Sequence, residues 1–350
     1  MLASPVTQWA NLFDFHPETA VPLLLVLAAL ALEADRSGWF LVSAAAASSF
    51  KEDVPLVFLA WGLLLAFQGR RYLGLVLAAG AAAWFALATQ VVIPAFGGNL
   101  DFYSARFGGD RGSSLGAVFA ALVRDPVATL GDAATPANAK VLLSLVAVTA
   151  GLALLAPAFL VLAVPALAAN VLSAYSYQHD LHFQYYIVPA AVFAIASAQG
   201  AVVLQRRAAR AARAAPAVLL GAALLVAALG PASEELRTPA AAPVGPRERA
   251  LELVPDGASV AAAPNLVPHL SRRREIYQLP EPFFTRPTNG EYWTDEELRR
   301  RAGGVEWVVY ELAGLDPFPR TQVRRLPPLL QARGFREVYR RGGVRVFRRP

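Results

Sequence analysis

The stretch Phe50-Lys51-Glu52-Asp53-Val54 places three adjacent charges at the start of an apolar run that continues to Phe67. Two further polar clusters, Phe13-Asp14-Phe15-His16-Pro17-Glu18 and Tyr177-Gln178-His179-Asp180-Leu181-His182, also stand beside long apolar runs. A charged group at membrane depth costs roughly 2.5–3.5 kcal/mol on insertion scales unless it is paired or faces water. The pattern therefore indicates a membrane protein that uses these polar groups.

The composition also favours a membrane protein. Of 350 residues, 56% are hydrophobic and 17% are charged, whereas soluble domains carry about 25% charged residues. The chain has no cysteine, which excludes disulfides, thiolate metal sites and cysteine nucleophiles. The net charge of +6 comes largely from arginine, and such clusters in a multi-pass protein indicate topology first, not nucleic-acid binding.

Apolar segments predict an α-helical multi-pass bundle of about eight spans. A span needs roughly 20 apolar residues, with about 17–25 tolerated. Several segments are shorter, as expected of helices whose polar ends line a cavity. The segments are Thr19–Leu32, Trp39–Phe50, Val54–Phe67, Leu73–Phe96, Val141–Ala156, Phe159–Leu172, Phe183–Leu204 and Pro216–Leu229.

Arginines in the loops after the first, third and seventh segments predict the topology. With eight spans these loops share one side of the membrane, and the positive-inside rule makes that side cytoplasmic. The three polar clusters, the outer loop 97–139 and everything after Pro231 then fall on the outer face. Within that loop, Leu115–Val123 predicts an interfacial helix. The topology therefore gathers the polar clusters into one candidate cavity.

The predicted organisation is a transmembrane helical domain over 1–232, a linker over 233–250 and a small extracytoplasmic α/β domain over 251–350. Turn residues and short apolar runs carry the last assignment. Its predicted elements are strands at Ala258–Pro264 and Val305–Tyr310, a helix at Gln322–Arg333, and a terminal hairpin of Phe335–Tyr339 with Val344–Phe347.

The carboxylates Asp14, Glu18, Glu52 and Asp53 are candidate catalytic bases or metal ligands. Asp14 and Glu18 would share one face of a helix. The alternative is that they form the solvated start of a helix, where a carboxylate stabilises the helix dipole. The three adjacent charges Lys51-Glu52-Asp53 would equally suit a hydrophilic turn. A divalent metal ion remains an open alternative as a cofactor.

The candidates for substrate binding are cations, imidazoles and an aromatic ring beside these carboxylates. A lysine can neutralise a phosphate. Two histidines spaced i, i+3 are candidates for phosphate contact and a weak indication of a metal site, and the tyrosines also suit an aromatic belt at headgroup depth. The residues are His16, Lys51, Gln178, His179, His182 and Tyr185.

A set of motifs is spread along nearly the whole chain. It comprises Asn11-Leu-Phe-Asp-Phe-His-Pro-Glu18, Lys51-Glu-Asp-Val54, the run from Trp84 to Gly98, Val254-Pro-Asp-Gly-Ala-Ser-Val260, and Leu266-Val-Pro-His-Leu270 with Ile276-Tyr277. Together these motifs resemble the DUF2079 family of predicted bacterial membrane proteins. The first two are specific in combination and weak singly.

That family resembles polyprenyl-phosphate-dependent glycosyltransferases of the GT-C fold. The resemblance implies an active site on the outer membrane face, with a membrane lipid and a polyprenyl-phosphate sugar as partners. The N-terminal helices and first outer loop of such enzymes have no counterpart in this sequence, which predicts a late start or a truncated form. The alternatives are a lipid or polar-solute transporter, and a non-catalytic membrane protein whose outer domain binds a partner.

Overall fold

The chain divides into a helical unit, Met1–Arg237, and a unit with a small sheet, Thr238–Pro350. A mostly helical protein with a C-terminal sheet is therefore confirmed. The structure is a computed structural model. It describes residues 4–12, 16–96, 107, 120, 123–173, 175–230, 233, 244–273, 275–284, 294–312 and 320–350.

Apolar runs and prolines set the helices of the first unit. They are α1 Pro5–Leu12, α2 Val21–Glu33, α3 Ser37–Ser48, α4 Val54–Phe67, α5 Arg71–Leu87, α6 Pro126–Ala133, α7 Pro136–Val148, α8 Pro157–Leu160, α9 Val164–Val171, α10 Ile187–Arg207 and α11 Ala209–Leu229. Proline stands in the first turn of α2, α4, α7 and α9. A helix start suits proline because the N–H that it lacks has no intrahelical acceptor there.

Two helices in the described part of the chain are long and apolar enough to cross a membrane, Arg71–Ala95 and Gln184–Arg207. The first continues α5 through a π-helical turn at Ala88–Val92. The predicted span Phe159–Leu172 is divided into α8, a 3₁₀ turn at Val161–Ala163 and α9. Because most of the other apolar helices are shorter than a full span, the count of eight stays a prediction.

Close backbone contact joins α4 to α5. A Cβ atom at Gly62 would lie 2.6 Å from the backbone nitrogen of Ala78 and from the backbone oxygen of Gly74, so only glycine fits there. On α4, Trp61 is buried and its ring lies 5.2 Å from that of Phe40 on α3. The turns that lead into α4 and out of it are thereby fixed to the rest of the unit.

The predicted outer loop 97–139 contains helical structure in its described part. Helix α6 lies within it, and α7 begins at Pro136, where the Thr135 hydroxyl accepts a hydrogen bond from the Asn138 backbone N–H at 3.1 Å. These helices do not test the membrane topology, so the outer loop 97–139 stays a prediction. The predicted interfacial helix Leu115–Val123 lies outside the described residues except for Ala120 and Val123.

The second unit is a five-stranded sheet in the order β2-β1-β3-β5-β4. β1 pairs in parallel with β2 and β3, and β5 pairs antiparallel with β3 and β4. The predicted strands and hairpin are present, whereas β2 was not foreseen. The strands are β1 Val260–Ala262, β2 Ile276–Gln278, β3 Trp307–Glu311, β4 Arg336–Arg341 and β5 Val344–Arg348, and the helices are α12 Val244–Glu252, α13 Asp295–Gly304 and α14 Arg320–Ala332.

The last part of the predicted linker 233–250 is helical, because α12 begins at Val244. Arg247 on this helix pairs with Glu311 at the end of β3, and Ala250 is fully buried. The Pro- and Ala-rich composition suggested a spacer, but tertiary contacts with the sheet hold this segment as a helix.

Candidate functional site

Lys51 is the centre of the site. Its Nζ atom lies 3.4 Å from Oε1 of Glu18 and 3.5 Å from Oδ2 of Asp53. The same ammonium group lies 5.5 Å from the centroid of the Tyr185 ring. Three separate segments of the chain therefore meet at one lysine, and we call Glu18, Lys51, Asp53 and Tyr185 the Lys51 cluster.

Local structure explains how these side chains are presented. Glu18 lies in a 3₁₀ turn, Pro17–Ala20, where the Thr19 hydroxyl donates to the backbone oxygen of His16 at 2.7 Å. Asp53 stands at the N-cap position of α4, and Lys51 lies two residues earlier in the turn that follows α3. Short turns hold both acidic groups at helix starts, where negative charge is favoured.

Burial separates the two carboxylates. The Glu18 side chain is 8% exposed, whereas that of Asp53 is 27% exposed and that of Lys51 is 21% exposed. When all three are ionised, two negative charges face one positive charge. Lys51 thus compensates a buried glutamate, and Asp53 remains the carboxylate that a molecule from outside can reach.

The segment that carries Tyr185 is anchored by two hydrogen bonds. The side-chain amide of Asn170, at the end of α9, donates to the backbone oxygen of Tyr185 at 2.9 Å. The hydroxyl of Tyr186 donates to the backbone oxygen of Gln178 at 2.7 Å. These bonds fix the aromatic ring beside Lys51 and tie it to the third polar cluster.

His179 holds this third cluster against α7. Its Nε2 atom lies 2.7 Å from the backbone oxygen of Ser173, and its Nδ1 atom lies 2.6 Å from Oδ1 of Asn138. The Asn138 amide nitrogen donates to the backbone oxygens of Ala133 and Val171, which assigns its oxygen to the histidine side. Both ring nitrogens therefore lie within hydrogen-bond distance of an oxygen, which holds the ring between Ser173 and α7.

His182 is the more accessible histidine of the polar stretch 177–182, with a side chain that is 50% exposed. Its Nδ1 lies 2.5 Å from Oδ1 of Asp180, and its ring lies 4.1 Å from that of Trp9. Burial alone would raise the pKa of Asp180, but hydrogen bonds from the His182 ring and backbone outweigh it and hold the pKa below its ordinary value. The aspartate therefore stays ionised beside His182.

The structure brings together part of the predicted set. Glu18, Lys51, Asp53 and Tyr185 meet directly, as described above. Gln178, His179 and His182 lie in the segment that leads to Tyr185, and Gln178 is buried with no hydrogen-bond partner for its side-chain oxygen among the described residues. His16 and Glu52 are half-buried chain neighbours of the cluster, and Asp14 lies outside the described residues.

Sequence reasoning missed the two buried asparagines that position the site. Asn138 and Asn170 are 1% and 5% exposed. Asn170 interrupts an apolar run and Asn138 comes just before one, and a buried polar amide is costly unless it is hydrogen-bonded. That signal was in the sequence, but their partners are backbone oxygens of distant segments, which no local pattern shows.

Among the described residues, no group of three or more histidine, aspartate or glutamate side chains is arranged to hold a metal ion. The chemistry that the described site offers is that of carboxylates, an ammonium group and imidazoles. It suits proton transfer and the binding of polar groups.

One comparison with known proteins decides the family. The model of the predicted membrane protein family DUF2079 matches residues 2–344. The chain belongs to the DUF2079 family. A membrane location follows from that membership, and the resemblance drawn from the sequence motifs is confirmed. No curated protein and no solved structure matches the chain.

Proposed function

We propose that this DUF2079 protein is a GT-C-like membrane glycosyltransferase, or the C-terminal part of one, that transfers a sugar from a polyprenyl-phosphate carrier. The observation that carries the proposal is the Lys51 cluster, in which Lys51 Nζ lies within 3.5 Å of both Glu18 and Asp53. Charged groups in a membrane protein are costly unless they are used or paired. Here both carboxylates pair with Lys51, but Glu18 is buried and Asp53 is partly exposed.

Asp53 is the general base of this proposal. A base has to come within hydrogen-bond reach of the proton that it removes, and Asp53 is the more exposed carboxylate of the pair. The acceptor oxygen attacks the anomeric carbon while its proton passes to Asp53. The bond from that carbon to the phosphate oxygen breaks, and the polyprenyl phosphate leaves with the electron pair.

Glu18 and Lys51 have different roles. Glu18 holds the lysine from a buried position, as its 3.4 Å contact indicates. Because two carboxylates already face Lys51, the cluster carries a net negative charge and suits the acceptor better than an anionic phosphate. His182, which is exposed beside Trp9, is the better candidate for contact with the leaving phosphate.

The proposal places the Lys51 cluster on the outer face of a bundle of about eight spans. The domain over 1–232 would hold the membrane part, and the domain over 251–350 would be extracytoplasmic. The turn after α2 and the turn after α4 lie at one end, joined by the Arg70–Asp35 ion pair at 2.7 Å. Lys51 and Asp53 lie in the turn between α3 and α4. This turn is at the end of the two helices away from the Arg70–Asp35 pair, which supports this topology.

The test is turnover of lipid-linked sugar by the full-length protein in membranes. Asp53→Asn should reduce turnover by about 10²- to 10⁴-fold, the typical contribution of a positioned base. Asp35→Asn is the matched control, because it alters a carboxylate paired with a cation at the other end of the helices. That variant should keep full turnover.

The outcomes separate the alternatives. Full turnover by Asp53→Asn would overturn the assignment of the base, and Glu18→Gln and His182→Gln then test whether the cluster has any part in transfer. Proton-coupled flux of a solute in vesicles without glycosyl transfer would favour a transporter instead.

A further inference from the structure

Turns of the helical unit gather arginine at one end. The Arg70–Asp35 pair joins the α2–α3 turn to the α4–α5 turn at 2.7 Å. Gln199 donates to Glu33 at 2.7 Å, which ties the end of α2 to the second half of α10. We call this surface the arginine end and define it by Arg36, Arg70, Arg71, Arg206, Arg207, Arg210 and Arg213.

Its positive charge is largely uncompensated. The two acidic residues near these turns, Glu33 and Asp35, are already engaged with Gln199 and Arg70. The arginines of the α10–α11 hairpin are all exposed, and none of them pairs with a carboxylate among the described residues. They are Arg206, Arg207, Arg210 and Arg213.

Helix stability does not explain several of these positions. Arg36 and Arg70 stand at the N-cap positions of α3 and α5 and form no capping hydrogen bond through their side chains. Arg210 lies in the first turn of α11. A cation is disfavoured at a helix N-terminus, where the dipole is positive. Asp35 offsets this conflict for Arg70, and an external anion would offset it for Arg36 and Arg210.

Exposed aromatic rings stand beside the same turns. Phe67, the last residue of α4, is 91% exposed, and Tyr72, the second residue of α5, is 85% exposed. Trp39, in the first turn of α3, is also exposed. Aromatic rings next to arginine at helix ends are typical of the membrane–water interface, where the ring is partly apolar and partly hydrated.

We infer that the arginine end binds a layer of anionic phospholipid headgroups. The inference needs the membrane location that family membership provides, and it does not depend on glycosyl transfer. Each arginine near an anionic leaflet favours that surface about five-fold. The hairpin arginines supply the larger part of the attraction, and the aromatic rings set the depth at which the surface meets the headgroups.

The experiment measures which lipids stay bound. The full-length protein is reconstituted in vesicles of equal parts phosphatidylcholine and phosphatidylglycerol, and the lipids that it retains are counted by native mass spectrometry. The wild-type protein should retain several times more phosphatidylglycerol. The combined variant Arg206→Gln, Arg207→Gln, Arg210→Gln and Arg213→Gln should bring that ratio most of the way down to one, because it removes the larger part of the attraction.

Two matched variants keep the test sharp. Replacing the same four arginines by lysine preserves charge and should preserve the lipid preference. Removing four exposed arginines of the sheet unit should also leave it unchanged, by Arg324→Gln, Arg325→Gln, Arg340→Gln and Arg341→Gln.

An unchanged ratio in the hairpin glutamine variant would overturn the inference, as would an equal loss in the sheet-unit variant. If the hairpin variant does not fold, the wild-type protein decides alone. Raising the salt from about 0.1 M to about 1 M should abolish its preference, because the attraction is screened. A preference that survives high salt overturns the inference. Competition by free glycerol phosphate at equal concentration would show a soluble-anion site in place of a lipid surface.

Discussion

Each unit holds a buried glutamate beside a cation, but the two pairs are built differently. In the sheet unit, Oε2 of Glu311 accepts hydrogen bonds from Nε and Nη2 of Arg247, at 3.2 and 2.9 Å, and from the Asn265 amide at 3.0 Å. In the helical unit, one ammonium group of Lys51 is shared between Glu18 and Asp53 at 3.4 and 3.5 Å. Both glutamates are buried.

The difference lies in how much of each site is already used. The Arg247 fork fixes Glu311 in one geometry, joins α12 to β3 and leaves the carboxylate only 4% exposed. Lys51 is a point charge with three rotatable donors, and Asp53 beside it stays accessible. The first pair is a structural joint. The second leaves one of its two carboxylates partly exposed.

The largest expected effect on stability is at the Arg247–Glu311 pair. Glu311→Ala should destabilise the sheet unit by about 3 kcal/mol, because Arg247 loses its partner in a partly buried position. Hydrogen exchange of β1 and β3 in the full-length protein measures the loss. Glu306→Ala, at an exposed position just before β3, is the control and should change little. Unaltered protection from exchange in the Glu311 variant would show that the Arg247–Glu311 pair does not stabilise the sheet unit.

A reciprocal exchange of cations tests the geometry itself. Arg247→Lys should cost about 1–2 kcal/mol, since a single ammonium group cannot reproduce the planar fork. Lys51→Arg should cost less, because the contacts there do not depend on a fork. The two losses are compared by urea unfolding, with amide hydrogen exchange of β3 reporting on Arg247→Lys and that of α4 reporting on Lys51→Arg. Equal losses would show that both pairs are rigid joints.

The smallest expected effect on stability is at the partly exposed ion pair of Glu337 with Arg345. The Nε and Nη2 atoms of Arg345 donate to the two carboxylate oxygens at 2.7 and 2.8 Å, and these bonds hold the pKa of Glu337 below its ordinary value. A lowered folded pKa stabilises the fold above the unfolded pKa, about 4.3 for glutamate, and this contribution is lost as the pH falls through the folded value.

Glu337→Gln should therefore cost up to about 1 kcal/mol at neutral pH and nothing at a pH well below that range. Urea midpoints across acidic pH, read from the exchange of β4 and β5, provide the measurement. A stability difference that stays constant with pH would mean that Glu337 acts through packing and not through its charge.

Much of the fold could be predicted from local pattern. The apolar run Val54–Phe67 is α4 with the same bounds. The mostly apolar run Val305–Tyr310 predicted β3, and the Gly342-Gly343 turn predicted the terminal hairpin. These elements carry their own signals, namely length, periodicity and turn chemistry.

Elements that depend on tertiary contacts were missed or misjudged. β2 is a three-residue strand, Ile276–Gln278, which is recognisable only by its pairing with β1. Helix α12 lies in a segment that reads as a linker, and its contact with Glu311 is made across 64 residues of sequence. No window of the sequence contains both partners of such a contact.

The sequence by itself determined that the protein belongs in a membrane, which residues could perform polar chemistry there, and where most of the helices lie. Those properties depend on composition and on neighbours in the chain. Only the tertiary structure decided that Lys51 faces both Glu18 and Asp53, that His179 is held by Asn138, and that Asn170 fixes Tyr185. These relations are distances between segments far apart in sequence, and packing of the whole unit sets them.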